Sequence, residues 1–274
     1  MVESMYENLY YRLDPVSFAT DKLGIVPDPW QAEVMSSQSK RILLNCSRQT
    51  GKSTTSAIIA LHQALYHPDS LVLLVSPALR QSQELFKKVQ FFLKKVNLGS
   101  KLQEDNKLSM QLDNGSRIVS LPAAEGTIRG FSSVSLIIED EASRVSDDLY
   151  RATKPMLAVS NGRHMIMSTP YGKRGHFFEE WFGENDWTRI EIPATACTRI
   201  SPDFLEAERR SLGEWWYKQE YCCQFMDTVD SLFSYDTIIS AMDPTIEPLF
   251  PVANSTHYER GSFASDEVNP LVIL

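Results

Sequence analysis

The segment Arg41-Ile42-Leu43-Leu44-Asn45-Cys46 is an apolar run of strand length. It passes directly into the polar turn Ser47-Arg48-Gln49-Thr50-Gly51-Lys52-Ser53, and Ser53 to Leu65 then carries Ile58, Ile59 and Leu61 at helical positions. A buried strand, a tight polar turn and a helix in that order commit the chain to an α/β fold. Counted from Cys46, the turn matches the phosphate-binding pattern G-x-x-x-x-G-K-[ST], with Cys46 in the first glycine position. The pattern works because N–H groups of the turn and the helix N-terminus converge on an anion that the helix dipole also favours. Gly51 lets the backbone approach, Lys52 reaches the β- and γ-phosphates of a nucleotide such as ATP, and the Ser53 hydroxyl ligates Mg²⁺.

Further strands are expected at Leu71–Val75, Val134–Ile138 and His164–Ser168, all with continuous apolarity. A helix from Pro77 carries a stripe of Leu85, Phe86, Val89, Phe92 and Leu93. Ser109–Leu112 and Arg117–Leu121 flank Asp113-Asn114-Gly115-Ser116, a hairpin signal. Continuous rather than alternating apolarity implies a mainly parallel sheet with helices on both faces. The cluster Tyr6, Leu9, Tyr10, Tyr11 and Leu13 predicts an N-terminal helical segment over 1–25 docked on the body. Pro27, Pro29 and Trp30 then precede a short helix over Gln31–Ser37. The core is expected over 26–193, a small helical subdomain on the sheet edge over 194–242 with a helix at Phe204–Phe225, and a linker or tail over 243–274.

Composition narrows the alternatives. With 43% apolar and 23% charged residues among 274, the chain is neither disordered nor coiled coil, and can bury a full core. No apolar run approaches the ~20 residues that span a bilayer. The N-terminus MVESMYENLYYRLDP lacks the basic and apolar regions of a secretory signal, so a soluble cytoplasmic protein without a membrane partner is expected. The four cysteines and five histidines show no metal-ligand spacing. A net charge of −8 argues against an overall basic coat for nucleic acid, though a local basic patch or basic ring lumen remains compatible. Lys87, Lys88, Lys94 and Lys95 form the densest basic stretch, readable as a solvated helix face or a DNA track.

Leu136-Ile137-Ile138-Glu139-Asp140-Glu141 is an apolar strand ending in acids. Asp140 is assigned to the metal and Glu141 to activation of the attacking water. Glu139 stands where an apolar residue is expected, which leaves the pairing open by one residue. Met165–Met167 followed by Ser168-Thr169-Pro170 reads either as a γ-phosphate sensor or as an ordinary strand exit. Arg48 lies inside the loop. Arg129, in Gly126-Thr127-Ile128-Arg129-Gly130, is either a finger for the γ-phosphate or a solvated charge. Gln31, after Pro29-Trp30, either meets adenine or begins a helix.

Together these segments resemble the large terminase subunit of tailed bacteriophages, the ATP-driven DNA packaging motor. Ser47–Ser53 has that family's arginine-containing loop, Glu139–Val145 its acidic strand, and Ser168–Gly175 its coupling motif; Pro29-Trp30-Gln31 is similar to its adenine-recognising segment. The resemblance spans about residues 25–225. It implies a P-loop NTPase fold of the additional-strand type, with a small lid subdomain after the coupling motif. It also implies ATP and Mg²⁺ as ligands, with Gln49, Thr50, Ser168 and Thr169 joining the nucleotide site. Arg48 matches the loop arginine linked to γ-phosphate sensing, and Arg129 the finger that reaches a neighbour's ATP. The implied partners are double-stranded DNA held through its phosphates, the portal protein and the small terminase subunit. A homo-oligomeric ring in the host cytoplasm, with a monomer in isolation, is implied as well. The family's nuclease domain has no counterpart here, so ATPase activity without nuclease activity is expected. A helicase-like translocase and a nucleotide-binding assembly module with little turnover are the alternatives.

Overall fold

The computed structural model describes residues 2–96, 102–123, 130–227 and 235–241. Arg129 and the 243–274 tail therefore lie outside the described residues. The chain divides into two units, Met1–Asp230 and Ser231–Leu274. The described part of the second is one helix, Tyr235–Ala241.

In the first unit, helices α1 (Val2–Leu13) and α2 (Pro29–Ser36) precede β1 (Arg41–Cys46), α3 (Lys52–Tyr66), β2 (Leu71–Ser76) and α4 (Leu79–Lys95). Next come β3 (Leu102–Asp105), β4 (Ser109–Leu112), β5 (Arg117–Pro122), β6 (Leu136–Asp140), α5 (Asp147–Thr153) and β7 (Arg163–Ser168). The unit ends with α6 (Gly175–Phe182), β8 (Thr188–Ile192) and α7 (Pro202–Tyr221). The eight described strands form one sheet in the order β3-β4-β5-β2-β6-β7-β1-β8. From β5 to β8 every pairing is parallel, and β3-β4-β5 is an antiparallel extension. Strand β7 is inserted between the loop strand β1 and the acidic strand β6. That places the two chemical strands apart by one sheet position, the arrangement of an additional-strand P-loop NTPase.

The continuous apolar runs resolve into two alternating sets. Ile42, Leu44, Val72, Leu74, Leu136, Ile138, Met165 and Met167 pack with α3 and α4. On the opposite face, Leu73, Val75 and Ile137 join Leu149, while Leu43 and Ile166 join Tyr150 and Phe177. Burial on both sides explains the absence of a polar alternation in these strands. The hairpin turns at Gly115, which sits at φ 82°, and Met110 pairs with Ile118 across it.

Three expectations are corrected. Pro29 and Trp30 form the first turn of the helix over Pro29–Ser36 rather than preceding it, because proline's missing N–H is unused in the first turn. The long terminal helix spans 202–221 and is interrupted at Gly213, whose φ of 78° is non-helical. The aromatic residues of α1 do not all dock: Tyr6, Leu9, Tyr10 and Leu13 are exposed, and Tyr11 with Phe18, Ala19 and Leu23 makes the attachment.

His62 on α3 contacts the Tyr11 carbonyl oxygen through Nε2 at 2.7 Å and packs edge-on to Phe18. Burial pushes its pKa down from 6.5 to about 4. A base with a depressed folded pKa contributes stability that is fully present above its ordinary value and is lost as pH falls toward the folded one. In urea denaturation, wild type should lose stability between about pH 7 and pH 5 more steeply than His62→Gln. Equal slopes would contradict this role for His62.

Candidate nucleotide site

The loop after β1 reverses direction through two left-handed residues, Gln49 at φ 60° and Gly51 at φ 99°. Cys46 is a fully buried member of β1 rather than a turn residue. This removes the requirement for glycine at the first motif position. Among the described residues, the backbone N–H groups of Gln49 and Gly51 have no hydrogen-bond acceptor. The first N–H groups of α3 have no intrahelical acceptor either. A row of free donors ending on a helix N-terminus fits a phosphate.

The acidic tip of β6 closes on this loop. Lys52 Nζ lies 2.9 Å from Glu141 Oε1 and 3.4 Å from Thr169 Oγ1. The Ser53 hydroxyl is 3.5 Å from Asp140 Oδ2. Burial and then Glu141 raise the Asp140 carboxyl to about 6. Burial opposes the charge on Lys52, but Glu141 and Asp140 more than offset it and hold its pKa above the ordinary value. Glu141 itself adopts φ 54° as the chain leaves β6. A hydroxyl and a buried carboxylate are the hard oxygen donors that Mg²⁺ takes when phosphates complete its shell, so Ser53 and Asp140 fit that ion.

The remaining expected residues are placed as follows. Gln31 is buried; its Oε1 accepts the Asp28 backbone N–H at 2.9 Å, and its Nε2 stands 2.8 Å from where a Cβ on Gly51 would be. Gln31 is therefore both a helix-start residue and a neighbour of the loop. Ser168 contacts the Ser143 hydroxyl at 2.7 Å, tying the end of β7 to the segment after Glu141. Arg48 is ion-paired with Glu220 at the end of α7. Of the basic stretch on α4, Lys87 pairs with Glu84, while Lys88 reaches Thr54 and Lys95 the Leu23 carbonyl.

Two clamps on the loop leave no mark in the local sequence. Arg199 donates to the Thr50 carbonyl at 2.9 Å and pairs with Asp28 at 2.7 Å. The Arg48 backbone N–H donates to the Glu220 carbonyl at 3.1 Å. Their partners are remote in sequence, and neither carries a local pattern. A third feature, missed among the expected site residues, concerns Glu139. It is fully buried on the face of β6 opposite the loop, 2.8 Å from His176 Nε2. Burial alone would raise its pKa, yet His176, together with His164 beside its other oxygen, prevails and holds it at about 2. Its oddity at an apolar position was the available signal.

The chain is 25% identical over 264 residues to the large terminase subunit of Thermus phage G20c, covering 81% of this chain and 53% of that protein. The terminase large subunit of Thermus virus P23-45 is 25% identical over 261 residues with the same coverage. The chain thus spans about half the length of these relatives. Among solved structures, the large terminase ATPase domain of Thermus phage P74-26 superposes with a TM-score of 0.67 at 20% identity, covering 78% of this chain and all of that one. The large terminase of a thermophilic bacteriophage, solved in complex with ADP, gives 0.60 at 11% identity, over 73% of this chain and 54% of that one. These structural likenesses establish the fold. The family described as terminase large subunit, T4likevirus-type, N-terminal, matches residues 43–239. With most of its length inside that match, the chain belongs to the terminase large subunit family.

Proposed function

We propose that this chain hydrolyses ATP with Mg²⁺ and uses the energy to drive double-stranded viral DNA into a procapsid. The observation that carries the reading is the meeting of Lys52 and Ser53 with Glu141 and Asp140, brought together from opposite sides of β7. Among the structural neighbours, the large terminase of the thermophilic bacteriophage has been solved with ADP and with ATP-γ-S.

In this mechanism the N–H groups of the loop hold the phosphates, and Lys52 exchanges its contact with Glu141 for phosphate oxygens. Glu141, released, orients the attacking water and accepts its proton. Ser53 and Asp140 would hold Mg²⁺, which when bound would supply neutralisation of charge developing on the phosphates. Thr169, beside Lys52, reads the γ-phosphate, and Ser168 passes its loss to the segment after Glu141 through Ser143. Gln31 flanks the nucleotide at Gly51. Arg48, on the loop, responds to the γ-phosphate, and Arg129 serves a neighbouring subunit's ATP in a ring. DNA is held through its phosphates without base readout, as any genome sequence must pass. The portal protein and the small terminase subunit are the proposed assembly partners, in the host cytoplasm. Among the described residues no helix is long and apolar enough to cross a membrane.

The test is steady-state phosphate release against protein concentration. Specific activity should rise with concentration in wild type and stay low in Arg129→Ala, because a finger supplied in trans needs a neighbour. A flat profile with an unaffected Arg129→Ala would remove the trans role. Equally slow release from wild type and Glu141→Ala, even at high concentration, would favour an assembly module over a motor.

A further inference from the structure

Successive side chains of β6 point to opposite faces, so Asp140 faces the loop and α3 while Glu139 enters the opposite layer. There it meets α6, which begins where the segment after β7 bends at Gly175, φ 75°. The second residue of that helix, His176, is buried. Its Nε2 lies 2.8 Å from Glu139 Oε1, and its Nδ1 lies 3.1 Å from Asp147 Oδ1. The His176 backbone N–H donates to the same Asp147 oxygen at 2.7 Å. Tyr150 covers the ring face, with centroids 4.4 Å apart and planes 10° from parallel.

Both ring nitrogens face carboxylate oxygens, which accept but do not donate when ionised, so the ring carries both protons. The shifts agree in direction: burial would lower the His176 pKa, but the two carboxylates raise it to about 9. A buried imidazolium between two carboxylates is a strong, directional contact.

Glu139 and Asp147 are the residues just outside the segment 140–146, which carries Asp140, Glu141 and Ser143. One histidine therefore clasps both ends of the segment that presents the water-activating carboxylate. Within the segment Glu141 occupies a left-handed backbone conformation, uncommon for a residue with a side chain. Such a conformation persists only where the surroundings impose it. His176 is also eight residues beyond Ser168, on the helix that the coupling motif leads into.

We infer that His176, through Glu139 and Asp147, is a positioning residue that fixes the Glu141-bearing segment for ATP hydrolysis and connects it to the coupling motif. The inference rests on the proposed ATPase reading. It adds a requirement that the phosphate-loop pattern does not contain, on the face of the sheet away from the nucleotide.

The test compares wild type, His176→Gln and Asp147→Asn in the full chain. Turnover is measured per binding site, with sites titrated by a non-hydrolysable ATP analogue with Mg²⁺. His176→Gln keeps a donor toward Glu139 but loses the ring contact with Asp147, leaving only the backbone N–H on that carboxylate. Turnover per site should fall about 10- to 100-fold, the scale expected of a misplaced catalytic group. KM and the analogue Kd should stay within about threefold of wild type, since the loop itself is untouched. A purely structural role predicts fewer binding sites with unaltered turnover at each, and that result overturns the inference. Should His176→Gln fail to fold, Asp147→Asn decides. It alters a half-buried group at one end of the clasp and should still lower turnover several-fold with Kd unchanged; undiminished turnover overturns the inference. A wild-type chain that binds the analogue but never releases phosphate overturns the ATPase reading and this inference together. Active wild type with equally active variants overturns this inference alone.

Discussion

Glu141→Gln is expected to reduce kcat by about 10²- to 10⁴-fold, the usual contribution of a positioned general base. Nucleotide binding should survive or tighten. Glu141 Oε1 sits 2.9 Å from Lys52 Nζ, so the carboxylate competes with phosphate oxygens for the same ammonium group. The amide is neutral and competes less. The variant also leaves one fewer negative charge near Asp140, whose carboxyl burial and Glu141 hold up at about 6. A kcat loss with an equal or lower Kd for ATP is therefore the signature, read by phosphate release and equilibrium binding on the same preparation. A variant that turns over at the wild-type rate would move the base elsewhere on the β6 tip.

Lys52→Ala is expected to act on binding and chemistry together. The ammonium group contacts the acidic tip directly, with Thr169 at 3.4 Å on its other side. Its removal deletes a phosphate contact and leaves Asp140 and Glu141 facing one another without compensation. The Asp140 pKa should then climb further, making it a poorer Mg²⁺ ligand at neutral pH. kcat/KM should fall by roughly 10²–10³-fold or more, the range for losing one donor aimed at developing charge. The Kd for Mg²⁺–ATP should rise in parallel. Lys52→Arg should not rescue, because a planar fork does not reproduce a compact point charge in a site this enclosed. Unchanged affinity in Lys52→Ala would mean that the triphosphate does not lie in the loop.

The two variants separate binding from chemistry, and both rest on elements legible in the sequence alone. The strand, turn and helix around Gly51 are contiguous, so their order carries the expectation. The buried strands were legible because both faces of the sheet are covered and leave no polar interruptions. Cys46 departs from the motif's first glycine, yet the positive φ angles fall at Gln49 and Gly51, which makes its side chain harmless there. Edge strand β8 carries no continuous apolar run, because Thr-Arg-Ile-Glu-Ile mixes polar and apolar residues at the sheet margin. The apolar cluster of α1 overstates its docking, because a local cluster does not state how much of itself is covered. The clamps of Arg199 on Thr50 and Glu220 on Arg48 join residues distant in sequence, and pairings of that kind leave no local trace. Glu139 was visible as an anomaly, but its meaning required His176, which reaches it only after β7 and α6 are placed.

A crystal structure of the chain with a non-hydrolysable ATP analogue and Mg²⁺ tests the central claim most directly. The triphosphate is expected on the N–H groups of residues 49–53, with the ion between the Ser53 hydroxyl and Asp140. Glu141 is expected to have turned from Lys52 toward the γ-phosphate. A nucleotide bound away from the loop, or an ion that avoids the β6 tip, would contradict the claim.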